Sequence, residues 1–317
     1  MRGDAGRMTN ELLARIGKKA AERLNADVET IEQIPGVSDN TVFAITAGGK
    51  PYIFKIYTLR DWPEDGKLLF INRKLIEHGI PCAKIIAFDR RDPDFPSGYL
   101  IEERLPGVTA DRALGDADAT RTFYAKLARL VSQLHRIRIE NHGYIGAGVA
   151  SHGTFLAFMD DKLDEIAEPL VSMKRFEAPV LAKIKERVLR ALRPCADLPA
   201  VLNHGDLSVK NVLIDERGEV TLVDYDDALA LNWIADIARL TYWMRYSYDA
   251  ESYAAYRDVF LRHYADGGAR DAFESLENAF HAWIGLDHLL YYAGRPQSEP
   301  KYARALAYFN ACVAGLG

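Results

Sequence analysis

The 317-residue chain holds only three cysteines, Cys82, Cys195 and Cys312. An odd count with no Cys-x-x-Cys pair and no interleaved Cys/His spacing excludes a disulfide frame and a cysteine-built zinc site. A reduced, cytoplasmic setting fits that count. Long hydrophobic runs are lacking too: no uncharged apolar stretch reaches the about 18 residues of a spanning helix, and the opening MRGDAGRMTNELLARIGKKAAERL scatters charge throughout. Secretion and a membrane partner are therefore not expected. Nor is there an excess of positive charge. The formal net charge is -5, and residues 201–317 carry ten Lys/Arg against seventeen Asp/Glu, whereas 1–200 are nearly balanced. An acidic surface repels nucleic acid and anionic lipid, so the expected partners are neutral or cationic. Repeats and low-complexity segments are absent. A 49% hydrophobic, 27% charged composition is that of a globular protein, and this length suggests two lobes or one large domain.

The pattern along the chain changes character once. Leu12, Leu13, Ile16, Ala20 and Leu24 recur at helical spacing and predict an amphipathic opening helix. Short β-type runs follow: VETIEQIP, NTVFAIT, PYIFKIY after the turn Gly48-Gly49-Lys50, then AKIIAFD and SGYLIEERL, with a helix expected from Asp65 to about Glu77 among them. After Leu105-Pro106-Gly107 the reading is mostly helical: a stripe of Phe123, Leu127, Leu130, Val131 and Leu134, then long amphipathic stretches over 155–193 and 251–292. One β-type insertion, AVLNHGDLSVKNVLIDERGEVTLVDYDD, interrupts it with a hairpin turning at Arg217-Gly218. The expected design is α+β: a strand-rich N-terminal lobe over 1–101, a hinge at 102–107 and a helical lobe with an inserted hairpin over 108–317.

The chemistry concentrates in that insertion. His204-Gly205-Asp206 is followed by Asn211 and then Asp224, each at the edge of an apolar run. Phosphoryl transfer needs this set: one carboxylate to accept the proton of an acceptor hydroxyl, and a second carboxylate with an amide oxygen to hold the magnesium that bridges the phosphates. If NVLID and VTLVD pair, Asn211 and Asp224 meet at the open end of the hairpin. Asp206 is then the candidate base, and Asn211 and Asp224 the metal ligands. Upstream, Lys55 interrupts the apolar strand YIFKIY on the side of Ile53 and Tyr57, where a buried ammonium needs an anionic partner such as a nucleotide phosphate.

HGDLSVKNVLID followed by VDYDDALALNWIADIARL resembles the aminoglycoside phosphotransferase family of kinase-like enzymes, and the likeness extends to YLIEERLPG, HGIPCAKII and LARLVSQLHRI. It implies a bilobal kinase-like fold with ATP or GTP as phosphoryl donor and Mg2+ as cofactor. Asp206 would be the base, Asn211 and Asp224 the magnesium ligands, and Lys55 a phosphate ligand. The main chain of Glu102, Glu103 and Arg104 would meet the purine. Asp236 and His204 would support the catalytic loop. Two departures stand out: Gly36-Val37-Ser38-Asp39-Asn40 has one glycine where a phosphate-covering loop is expected, leaving Ser38 and Asn40 as donors, and Leu68 occupies the expected position of a glutamate that pairs with Lys55. Glu64 and Asp65, in the first turn expected for that helix, are the nearest carboxylates. A cationic, hydroxylated acceptor would call on Asp226, Asp227, Asp249, Glu251 and Asp287, with Tyr291 on the helical face of Asp287. AWIGLDHLLYYAG and NHGYIGAG are loosely similar to hygromycin B phosphotransferases. Two other readings stay open: a metabolic kinase for homoserine, a fructosamine or choline, and a silent nucleotide-binding module.

Overall fold

The computed structural model describes residues 2–35, 40–267, 270–295 and 298–316. It divides into two compact units, the first Met1–Gly107 with Gly146–Gly148, the second Val108–Ile145 with Val149–Gly317. In the first, α1 (Arg2–Leu24) precedes β1 (Val28–Ile34), β2 (Thr41–Ala47) and β3 (Lys50–Ile56); α2 (Lys67–Glu77), β4 (Ile85–Asp89) and β5 (Tyr99–Glu103) follow. The sheet order is β1-β2-β3-β5-β4, antiparallel throughout. Alternation along strands sorts the sheet's two faces. Phe43, Phe54 and Ile101 stand in one row across β2, β3 and β5 and pack with Tyr99, Phe95 and the helix residues Ile16 and Ala20. Each large apolar side chain buried there contributes about 1.5–3 kcal/mol. Arg23 ties α1 to this core by donating to the Tyr99 hydroxyl at 2.8 Å, and Lys19 reaches the buried Asp92 at 2.7 Å.

The helix expected from Asp65 starts two residues later. Gly66 sits at φ +77, a left-handed conformation that α-helix cannot continue through, and α2 begins at Lys67. Glu64 and Asp65 are thus outside the first turn. Glu64 pairs with Lys67 at 3.0 Å and Asp65 with Arg91 at 3.4 Å.

The second unit opens with β6 (Val108–Thr109), α3 (Ala110–Ala113) and α4 (Ala117–Leu134), whose amides at Asp118 and Ala119 are capped by Asp116. Next come β7 (His142–Ile145), β8 (Ala150–His152), α5 (Phe155–Ser172) and α6 (Ala178–Leu192). The expected β insertion supplies β9 (Val201–Asn203), β10 (Val212–Ile214) and β11 (Val220–Leu222), and β12 (Leu229–Leu231) follows. Four helices close the chain: α7 (Ile234–Ser247), α8 (Ala250–His263), α9 (Arg270–Ala293) and α10 (Glu299–Ala314). The strands form two small sheets, β11-β10-β6 and β8-β7-β12-β9. α9 is the central helix of this unit, packing against α5, α6, α7 and α10. Phe273, Phe280, Ile284 and Leu289 on it are fully buried.

Candidate active site

β9 pairs with β12 through Asn203 and Leu229, so the chains leaving these strands, 204–206 and 226–228, run side by side. They touch at Gly205. Its φ is +82, and a Cβ built there would lie 1.8 Å from the Asp227 carbonyl oxygen. Asp236, in the first turn of α7, fixes the same loop from behind: Oδ2 accepts the His204 N–H at 2.6 Å and Oδ1 the Gly205 N–H at 2.9 Å. Its own N–H donates to Asn203 Oδ1 at 3.2 Å. Burial pushes the Asp236 carboxyl up, but the His135 imidazole at 3.2 Å, the His204 ring and the Gly205 amide outweigh it and hold the group below its ordinary value. His135 is in turn bonded to the Tyr264 hydroxyl at 2.7 Å.

The His204 ring is fully buried and its Nε2 lies 2.9 Å from the Val223 carbonyl, so Nε2 carries the proton. It ties the HGD loop to the end of β11. Asn211 completes the link: its Nδ2 donates to Asp206 at both the main-chain oxygen and Oδ2, each at 2.9 Å, and its carbonyl accepts the Val223 N–H at 3.0 Å. Asp224 is the next residue, exposed and at φ +67, a left-handed conformation uncommon outside glycine. Asp206, Asn211 and Asp224 are therefore brought together at the open end of the β10–β11 hairpin. What binds Asn211 to Asp206 is the amide nitrogen, which turns the amide oxygen to other use. With the Asp224 carboxylate, that oxygen makes an all-oxygen donor pair of the kind magnesium takes, and it fits the ion on chemical grounds. Among the described residues no group of three His, Cys, Asp or Glu could hold a metal.

In the first unit, Lys55 is buried on β3, flanked by Val42 and Leu100, with its Nζ 5.9 Å from the Tyr57 ring centre. Asn40 accepts the Thr58 N–H through Oδ1 at 3.3 Å. Ser38 lies outside the described residues. Glu102 and Glu103 end β5; the Glu103 N–H donates to the Lys84 carbonyl at 3.0 Å and the Arg104 N–H to that of Pro51 at 3.1 Å. A purine at this segment cannot use those two amides without displacing an internal bond.

The residues expected at the acceptor fall in three places. Asp226, buried, and Asp227 adjoin the HGD loop. Asp287 and Tyr291 lie on α9, Asp287 paired with Arg239 at 3.5 Å and Tyr291 stacked 3.7 Å under the Arg295 guanidinium. Asp249 and Glu251 open α8, where Asp249 accepts the Ser252 N–H at 2.9 Å and hydroxyl at 3.0 Å. Asp249 is thus a helix cap. Asp249→Ala is expected to lower the thermal unfolding midpoint and to leave the acceptor KM unchanged; a raised KM at unchanged stability would return it to the acceptor site. Sequence reasoning weighed acids alone and missed the cations beside Asp287. Arg239, mostly buried, follows Asp236 by three residues on α7, and Lys162 of α5 reaches Tyr144 at 2.8 Å and Glu165 at 3.3 Å, with Asp287 adding to the pull that raises its pKa against burial.

Similarity to known proteins follows the same lines. The Vibrio cholerae 3-deoxy-D-manno-octulosonic acid kinase is 35% identical over 85 residues, which is 26% of this chain; the match spans about a third (34%) of that kinase. Among solved structures, a thermostable mutant of the aminoglycoside phosphotransferase APH(4)-Ia in ternary complex with ADP and hygromycin B superposes with a TM-score of 0.70 at 19% identity, over 95% of this chain and 99% of that one. The choline kinase LicA from Streptococcus pneumoniae gives 0.64 at 16% identity, over 95% and 99%. At these identities the structures establish the kinase-like fold. Residues 30–274 match the phosphotransferase enzyme family, APH, and the chain belongs to that family.

Proposed function

We propose that the protein is a magnesium-dependent O-phosphotransferase moving the γ-phosphate of ATP or GTP to a hydroxyl of an aminoglycoside-type antibiotic. The observation that carries the chemistry is the hydrogen-bonded pair of Asn211 with Asp206, latched by Asp236. Asn211 occupies Oδ2 of Asp206, and Oδ1 takes the proton of the acceptor hydroxyl as its oxygen attacks phosphorus. Asn211 and Asp224 would hold Mg2+, which, when bound, neutralises charge on the phosphates. Lys55 is assigned to those phosphates. Asp226, Asp227 and Asp287 supply the negative charge a polyamine sugar requires.

A second reading, a metabolic kinase for an acidic hydroxylated acceptor, draws on Lys162 and Arg239 beside Asp287. It is the reading closer in substrate to the octulosonic acid kinase. Purified protein with a donor and two acceptor panels, aminoglycosides and acidic sugars, separates them: turnover on the second panel alone would sink the antibiotic assignment. Asp206→Asn is expected to lower kcat by about 10²–10⁴-fold with nucleotide affinity retained. Unchanged turnover would remove Asp206 from the base role.

A further inference from the structure

A second constellation of reactive groups lies in the second unit, on β8 and α5. Ser151 Oγ and His152 Nδ1 are 2.6 Å apart, and His152 Nε2 and Asp161 Oδ2 are 3.0 Å apart. The Asp161 carboxylate only accepts, so Nε2 carries the imidazole proton and Nδ1 presents its lone pair to the serine hydroxyl. The Tyr144 N–H donates to Ser151 Oγ at 3.1 Å and opposes the charge that develops there when the proton leaves. We infer that Ser151, His152 and Asp161 form a nucleophile–base–orienter set that accepts acyl groups from activated carboxylic esters.

The local fold holds the set in place. β8 carries Ser151 and His152 beside β7, and a short link ending in the Thr154 cap starts α5, whose second turn presents Asp161. Lys185 of α6 engages Asp160 at 2.8 Å and Asp164 at 2.7 Å on α5, while Asp161 of the same helix turns to His152. The Phe158 ring meets the imidazole edge-on at 5.4 Å and limits its rotation. Opposite, Gly143 leaves the space the pair occupies: a Cβ there would fall 2.6 Å from Ser151 Oγ and 3.0 Å from His152 Nδ1. Ser151 is exposed, as a nucleophile for an external ester must be.

The reaction balances within the set. Ser151 Oγ bonds to the acyl carbon as the bond from that carbon to the leaving oxygen breaks. The hydroxyl proton passes to His152 Nδ1 and from there to the leaving oxygen. Water then repeats the sequence, releasing the carboxylic acid and restoring the serine. Asp161 accepts the Nε2 hydrogen bond and orients the ring.

The test uses the full chain with a fluorophosphonate probe and p-nitrophenyl acetate. The expected result is one adduct per chain, mapped to Ser151 by peptide mass, absent in Ser151→Ala and retained in Ser247→Ala. The labelling rate should fall about 10²-fold in His152→Ala, as removal of a general base does. Asp161→Asn, a change at an exposed carboxylate, should lower the rate with unchanged circular dichroism and so separates orientation from misfolding. An adduct elsewhere, or equal labelling of wild type and His152→Ala, overturns the assignment.

Discussion

Asp236→Ala is expected to destabilise the second unit by about 3–5 kcal/mol, the range for removing one partner from a buried ionic network. The side chain is 1% exposed and both oxygens are in use, so truncation strands the His204 and Gly205 amides and the His135 imidazole at once. Urea unfolding read by tryptophan fluorescence gives the number, and a loss below 1 kcal/mol would refute the latch. Acid titration carries an independent signature. The Asp236 pKa is depressed in the folded chain, so its contribution is complete above the ordinary carboxyl value of about 3.9 and is lost as pH falls through the lower, folded value. The variant should therefore lack part of the wild type's acid-induced loss of stability.

Gly205→Ala should abolish most turnover. A methyl group 1.8 Å from the Asp227 carbonyl oxygen is an impossible contact with backbone, and it forces apart the segments that carry Asp206 and Asp226. Displacing a reacting group by an ångström costs on the order of 10²-fold in rate. Gly49→Ala is the control. Its φ of +71 is equally left-handed, but nothing lies within 4 Å of the new Cβ, so it should show only the conformational cost of about 1–2 kcal/mol. Equal losses of activity in the two variants would show that strain, not the clash, governs the loop.

Much of this arrangement was readable from the amino-acid order because it rests on local pattern. The stripe of Phe123, Leu127, Leu130, Val131 and Leu134 is buried on α4, and the hairpin turning at Arg217-Gly218 exists because Asp215 accepts the Arg217 and Glu219 amides. β7, β8 and β12 escaped notice, since strands of three or four residues contain too little alternation to register. The start of α2 was misplaced by two residues because a left-handed Gly66 cannot be told from a helical glycine by type alone. His135 was missed for another reason: its bond to Asp236 spans 101 residues, and no spacing rule reaches that far. The Ser151, His152 and Asp161 set looks in sequence like three ordinary polar residues until β8 and α5 are folded against each other.

The separation between the HGD loop and its latch bears on how the protein is made. The loop leaves the ribosome with its amides at 204 and 205 unsatisfied, and the carboxylate that receives them is translated 32 and 31 residues later. The His135 imidazole on the same carboxylate is itself held by Tyr264, translated 28 residues after Asp236. A nascent chain halted before α7 would hold the HGD loop and the Asn211 hairpin without the group that orders them. Order in the HGD loop thus waits for translation of α7 and does not come with completion of the motif itself.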